Sequence, residues 1–143
     1  MFKSILVPID VAHESSWQFA LPEAIELAKA GGKKIVIMTV VREMTALFEG
    51  VYFPYQLEKM MTDAEEKLTK LVTKYQASDI SIEHEVRFGS IGHEILASAR
   101  DHNTDVIVMA SHRPEMRDYL IGPNAAHVAQ NASCSVLVLR RFA

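Results

Sequence analysis

The stretch MASHRPEMRDYLIGPNAAHV, residues 109 to 128, combines basic side chains with the start of a helix. Glycine is an acceptable helix cap and proline is favoured in the first turn, so Gly122, Pro123 and Asn124 are typical of a helix N-terminus. The free N–H groups and the dipole of such a terminus favour an anion. These three residues alone favour an ordinary surface helix, and the anion site stays open as the alternative at this stage.

Several standard catalytic and metal-binding signatures are absent from the chain. The Gly32-Lys33 pair follows a predicted helix and lacks the first glycine of a P-loop, and no G-x-G-x-x-G follows the first strand. His93-Glu94 begins like a zinc-binding H-E-x-x-H, but Ala97 stands where the second histidine belongs. The sequence therefore predicts no metal site, and Cys134 has no neighbouring histidine that would make it a nucleophile.

Four polar side chains have two interpretations each. Asp10 is either a general base or a helix cap after the first strand. His112 is either a chemically active histidine or a loop residue. Glu115 and Asp118 either hold Mg²⁺ beside a phosphate or remain solvated.

Short apolar runs alternate with helical periods along the whole chain. The run DVIVMAS is the most uniformly apolar, which is typical of an inner parallel strand. Such a chain predicts a parallel sheet with right-handed crossovers and helices on both faces, with ligands at the carboxyl ends of the strands. The predicted strands are residues 4–9, 34–41, 81–88, 105–111 and 135–140.

The segments between the strands carry the helix signals. Ser15 or Ser16 is a candidate cap for a first helix that Gly31 and Gly32 end. Residues 42–56 read as an irregular connection or lid, and spacing predicts a helix of about five turns over 57–75. A third helix follows Gly89 and Ser90, and a short one begins at Asn124.

Composition limits the class of protein. The 143 residues are 49% hydrophobic and 23% charged, with a net charge of −3. This predicts one globular domain, 1–143, with no basic footprint for nucleic acid or for an anionic membrane. The lone Cys134 fits a reducing compartment, and no apolar run is long enough for a membrane span, so we expect a cytoplasmic protein.

The motifs together resemble the universal stress protein family along essentially the whole chain, and most closely its F- or G-like subgroup. The resemblance rests on ILVPIDVAHESS, IMTVV, VRFGSIGHEI, TDVIVMASHRP, YLIGPNAAHV and CSVLVLR. It implies an α/β three-layer sandwich of the adenine nucleotide alpha hydrolase type, with strand order 3-2-1-4-5. It also implies bound ATP, alone or with Mg²⁺, and a homodimer or tetramer formed through the last strand.

The resemblance also assigns site residues by position. Asp10 matches the family acid that meets the ribose or the adenine side of the pocket, and Val40 matches the position whose backbone recognises adenine. In the phosphate loop, Ala110 and Arg113 replace two glycines, Gly122 is retained one residue early, and Pro123 replaces a Ser or Thr. Arg113 and Asn124 offer compensating donors. The full predicted site is Pro8, Ile9, Asp10, Val40, Ala110, His112, Arg113, Gly122, Pro123, Asn124 and Ala125.

Three functions compete at this stage. The first is an ATP-binding stress-response module with little or no turnover. The second is a slow ATPase or phosphotransferase, and the third is a dimeric interaction protein that has lost its nucleotide. Gly122 and Asp10 favour the first over the third, whereas Pro123 argues for the third.

Overall fold

The computed structural model describes residues 2–31, 34–42, 53–76, 79–111 and 123–140. Its five strands are β1 (Ser4–Pro8), β2 (Lys34–Arg42), β3 (Ser81–Gly89), β4 (Val106–Ser111) and β5 (Ser135–Arg140). They form one parallel sheet in the order β3-β2-β1-β4-β5. The predicted topology is confirmed, and β1 lies at the centre with β2 and β4 on either side.

Four α-helices connect the strands: α1 (Ala20–Ala30), α2 (Phe53–Tyr75), α3 (Ile91–Asp101) and α4 (Pro123–Asn131). The hydrophobic core has two parts, one on each face of the sheet. Leu21 of α1 and Leu68 of α2 pack with Ile5 and Ile35 on one face of the sheet. On the other face α3 and α4 cover the alternate strand residues, because successive side chains of a strand point to opposite sides.

Two helix starts differ from the sequence-based predictions. The predicted cap by Ser15 or Ser16 is wrong: Glu14–Ser16 form one turn of 3₁₀ helix, and α1 begins later with Phe19 at its N-cap and no side-chain cap. Helix α2 begins at Phe53, four residues earlier than predicted, so the end of the predicted irregular connection is helical. Phe53 stands four residues before Leu57 and therefore continues the helical period that the prediction began at Leu57.

The sheet has two unlike edges. Edge strand β3 alternates between exposed and buried side chains only at its start: Ile82 is buried between exposed Ser81 and Glu83, and residues 84–89 are half-buried. Edge strand β5 carries four consecutive apolar residues, 136–139, all half-buried.

Candidate functional site

A cavity of about 680 Å³ opens at the carboxyl ends of β1, β2 and β4. The neighbouring strands β1 and β4 are followed in sequence by β2 and β5, which lie on opposite sides of them, and ligands of open parallel sheets bind where the strand order reverses in this way. The volume lies in the range of small-molecule sites. Seven of the predicted site residues line this one cavity: Pro8, Ile9, Asp10, Val40, Ala110, Asn124 and Ala125.

The remaining predicted site residues are not placed around the cavity by the structure. His112, Arg113 and Gly122 lie outside the described residues, as do Glu115 and Asp118. Pro123 is the first residue of α4. The phosphate loop therefore stays a prediction, whereas its two flanks, Ala110 and Asn124, face the cavity.

The turn after β1 holds Asp10 in a defined position. The Asp10 Oδ1 atom accepts the Ala12 N–H at 2.9 Å, and Oδ2 is hydrogen-bonded to Nδ1 of His13 at 2.9 Å. The side chains of Asp10 and His13 are 49% and 63% exposed. The carboxylate thus organises its own turn and still presents a polar surface to the cavity, where His13 also lies.

Buried Ser16 also holds this turn in place through its hydroxyl group. Its hydroxyl accepts the Asp10 N–H at 2.9 Å and lies within hydrogen-bond distance of two carbonyl oxygens, those of His13 at 2.7 Å and Asp10 at 3.0 Å. The serine therefore satisfies the backbone donor of the residue that faces the ligand space. The sequence predicted Ser16 as a candidate helix cap. Its observed role is a hydrogen bond with the backbone of Asp10, six residues earlier in the chain.

The end of β2 is tied to the end of β1. The Thr39 hydroxyl, which is buried, donates to the Ile9 carbonyl at 2.8 Å, and the Ile9 N–H donates to the Met38 carbonyl at 2.8 Å. These bonds extend the strand pairing one residue past β1. They hold Val40, whose backbone is the predicted adenine contact, beside the turn of Asp10.

Helix α2 supplies a wall of the cavity that no motif predicted. Residues 60, 63, 64 and 67 all line it, the spacing of one helical face. Buried Ala64 anchors that face against the core, while Asp63 and Lys67 are exposed. Helical spacing was the only sequence signal for this wall, and it could not indicate which polar face of α2 would turn toward a ligand.

A second polar cluster lies away from the cavity, between β3 and α3. Arg87 donates hydrogen bonds to Glu85, Glu94 and Asp101, and His102 contacts Glu85. Burial raises the pKa of Glu85, but the hydrogen bonds from Arg87 and His102 outweigh it and leave the pKa below its ordinary value. Arg87 offsets part of the negative charge of the three carboxylates, and these contacts join the edge strand to α3.

The described residues provide no group of three or more His, Cys, Asp or Glu side chains arranged to hold a metal ion. Cys134 is half-buried, and burial raises the pKa of its thiol. A raised pKa disfavours the reactive thiolate at neutral pH. His127 packs its ring on Gly92 of α3 and is also surface-accessible.

Comparison with solved structures defines the class of fold. Universal stress protein UspA from Lactobacillus plantarum superimposes with a TM-score of 0.79 at 21% identity, covering 96% of this chain and 97% of that one. The parallel sheet in the order 3-2-1-4-5 with helices on both faces is an adenine nucleotide alpha hydrolase-like fold.

Sequence comparison identifies the family within that class. The model of the universal stress protein family matches residues 1–140. Universal stress protein G from Shigella flexneri is 30% identical, covering 98% of this chain and the whole of the relative. The chain belongs to the universal stress protein family, and its similarity to protein G is consistent with the F- or G-like subgroup.

Two further similar structures contain nucleotides. A universal stress protein in complex with cAMP has a TM-score of 0.63 at 19% identity, covering 99% of this chain and 98% of that one. A universal stress protein family protein from Arabidopsis thaliana with AMP bound has a TM-score of 0.63 at 14% identity, covering 99% and 93%. In the part of the chain that the structure describes, no helix combines the length and apolarity of a membrane span.

Proposed function

We propose that this protein binds ATP in the cavity at the ends of β1, β2 and β4, and acts as a nucleotide-dependent module of the cytoplasmic stress response. The observation that carries the proposal is that four separate chain segments, residues 8–10, Val40, Ala110, and Asn124 with Ala125, converge on one cavity of about 680 Å³. Nucleotides in the cAMP and AMP complexes of similar proteins support an adenine nucleotide as the ligand.

The chemistry of the lining supports a division of the cavity between phosphate and nucleoside. At one end α4 begins, and its N-terminal N–H groups and dipole favour phosphate, with the Asn124 side chain as an additional donor. In the middle, the Asp10 carboxylate suits the ribose hydroxyls. Asp10 follows β1 directly and lines the cavity, so its carboxylate is also a candidate ligand for Mg²⁺. This Mg²⁺ would accompany ATP and neutralise phosphate charge.

Little or no efficient turnover is part of the proposal. The Asp10 carboxylate already accepts the Ala12 N–H and contacts His13, which suits a positioning group better than a base that must accept a substrate proton. The same Asp10–His13 pair is the observation that favours the second candidate, a slow ATPase. Phosphate release that exceeds a protein-free blank and disappears in Asp10→Ala would support that candidate.

A charge placed at Asn124 tests the ligand assignment. Asn124→Asp adds a negative charge in the first turn of α4, where it suits the helix dipole but repels phosphate. We expect ATP to bind at least about tenfold more weakly in calorimetric titration of the nucleotide-stripped variant, the size of losing one charged hydrogen bond. Adenosine, which lacks phosphate, should bind as it does to the unmodified protein.

Gln130→Glu is the matched control, because it adds the same charge at the exposed far end of α4. It should leave ATP affinity unchanged. Failure of the unmodified protein to bind ATP, AMP or adenosine at millimolar concentration would refute the proposal and favour the interaction protein that has lost its nucleotide.

We also propose that residues 1–143 form one domain that assembles as a homodimer through β5, with a tetramer as a further step. The single sheet shared by all five strands supports one domain. The dimer is supported by the apolar, half-buried run of β5 at the sheet edge. The described residues that line the cavity include none from β5, so we expect assembly and nucleotide binding to be separable.

A further inference from the structure

Helix α2 carries two acid–lysine pairs of the same spacing that face different environments. Asp63 and Lys67 line the cavity, whereas Glu66 and Lys70 line an open groove on the outer side of the helix, next to Val86 of β3. In both pairs the acid precedes the lysine by four residues, and all four side chains are exposed. Among the described residues, none of the four takes part in an ion pair within 4 Å.

The position of α2 fixes which end of the cavity the inner pair occupies. Helix α2 packs on β2 and β3, whereas α4 packs on β4 and β5. Neighbouring strands lie about 4.8 Å apart, so the ends of β2 and β4 are separated by roughly 10 Å across β1. A nucleotide whose phosphates lie at the N-terminus of α4 therefore directs its base toward α2.

The charges at the α2 end suit a neutral base better than a phosphate chain. Asp63 would repel phosphate and offsets the charge of Lys67, so this wall presents an acceptor beside a donor. An adenine ring carries the complementary pattern, an exocyclic amine that donates next to a ring nitrogen that accepts. Arg42, at the end of β2, also lines this end of the cavity, and its planar guanidinium can stack on an aromatic ring.

We propose that Asp63 and Lys67 contact the purine base and select its 6-amino form. The Asp63 carboxylate accepts a hydrogen bond from the amine, and the Lys67 ammonium donates to a ring nitrogen. A 6-oxo purine places an oxygen where the amine would be, so it meets Asp63 with a repulsive contact. This inference rests on the proposed nucleotide site and assigns its base selectivity to two residues outside the family motifs.

Titration with ATP and inosine triphosphate tests the role of Asp63, since the two ligands differ in the 6-position group. We expect the unmodified protein to prefer ATP by about tenfold or more, the size of one charged hydrogen bond. Asp63→Ala should bring that ratio close to one, while Glu66→Ala should preserve it. An unchanged ratio in Asp63→Ala would overturn the proposal.

Titration with adenosine, AMP and ATP tests the role of Lys67. If Lys67 contacts the base, Lys67→Met weakens all three ligands by a similar factor, and Lys70→Met weakens none. A loss that grows with the number of phosphates would overturn the base contact and assign Lys67 to the phosphates. Each variant and its control remove a charge of the same sign from an exposed position of α2, so thermal melts should match within each comparison.

These titrations distinguish failure of the base-selection inference from failure of the proposed nucleotide site. If the unmodified protein binds ATP and Asn124→Asp weakens it, but Asp63→Ala behaves as Glu66→Ala, only the base-selection inference fails. If the unmodified protein binds none of the three ligands, the proposed nucleotide site fails and the inference fails with it.

Discussion

At the residue scale, Ser16 is the side chain that keeps the Asp10 backbone satisfied. Ser16→Ala leaves the Asp10 N–H, now paired at 2.9 Å, without its acceptor. This hydrogen bond is partly buried, so its loss should cost about 1 kcal/mol, the lower end of the range for a buried donor left without a partner. We expect the free energy of unfolding in urea to fall by that amount, and ATP affinity to fall as well because the turn loses its fixed position.

Ser15→Ala is the natural comparison for this change. Ser15 is half-buried beside Ser16, and the described structure gives it no hydrogen bond to the Asp10 turn. Its removal should change stability by less than about 0.5 kcal/mol, as for most surface substitutions. Equal effects of the two changes would show that the turn does not depend on the Ser16 hydroxyl.

Asp105 is a residue whose ionisation stabilises the fold. Its Oδ2 atom accepts the N–H groups of Lys3 and Ser4, at 2.8 and 3.1 Å, and these bonds lower the pKa of the carboxyl. Because the folded pKa is lower than the unfolded one, the stabilisation is complete above the unfolded pKa. It is lost as the pH falls through the folded pKa.

Melting temperatures across the acid range test this prediction. Above about pH 5 the unmodified protein should melt higher than Asp105→Asn, and the gap should shrink steadily below about pH 4, near the ordinary Asp pKa. A gap that is constant or widens on acidification would contradict the assignment. The effect should be modest because Asp105 is exposed to solvent.

At the element scale, the approach of α3 to α4 depends on Gly92. A Cβ atom at this position would lie 2.4 Å from Cδ2 of His127. Alanine normally stabilises a helix relative to glycine by up to about 1 kcal/mol. Here the steric cost of the contact with the imidazole ring should exceed that gain. We expect Gly92→Ala to lower the free energy of unfolding by about 1–3 kcal/mol, the usual cost of overpacking.

A double-mutant cycle separates the contact from other effects of the alanine. In a His127→Ala background the ring is gone, so Gly92→Ala should become neutral or stabilising by up to about 1 kcal/mol. The sign of the Gly92→Ala effect should therefore depend on residue 127. An equal loss of stability in both backgrounds would mean that the helix packing, and not the histidine ring, excludes a larger residue.

Element by element, sequence periodicity predicted the sheet better than the cavity. The predicted strands agree with the observed strands to within one residue at each end, because apolar runs bounded by polar residues leave few alternatives. Helix α2 shows which features periodicity could not predict. Its period gave a long helix with an apolar face, but its start at Phe53 and the contribution of Asp63 to the cavity depend on packing against β2.

In the candidate nucleotide site, too, some residues were predicted correctly from the sequence and others were not. Asp10, Val40 and Asn124 were predicted from motifs, and they share a cavity because the carboxyl ends of parallel strands meet at one edge of the sheet. Ser16 was given the wrong role because its partner is a backbone group across a turn. No local pattern marks such a contact.

At the scale of the whole molecule, the two edges of the sheet differ in a way that favours assembly through only one. Edge strand β3 carries Glu83, His84, Glu85 and Arg87, each joined to other charged groups. Charges on an edge strand discourage pairing with another chain. Edge strand β5 is apolar from Val136 to Leu139, so the proposed antiparallel contact with a second β5 around a two-fold axis would cover this apolar run.

Val138 and Val86 provide matched tests at the two edges, since both are half-buried valines. Val138→Lys should convert the dimer to a monomer in light scattering, because a charge on β5 opposes burial against a second copy. Val86→Lys, on β3, should leave the dimer intact. Both variants should keep ATP affinity, since neither residue lines the cavity. A dimer that survives Val138→Lys but dissociates in Val86→Lys would assign the interface to β3.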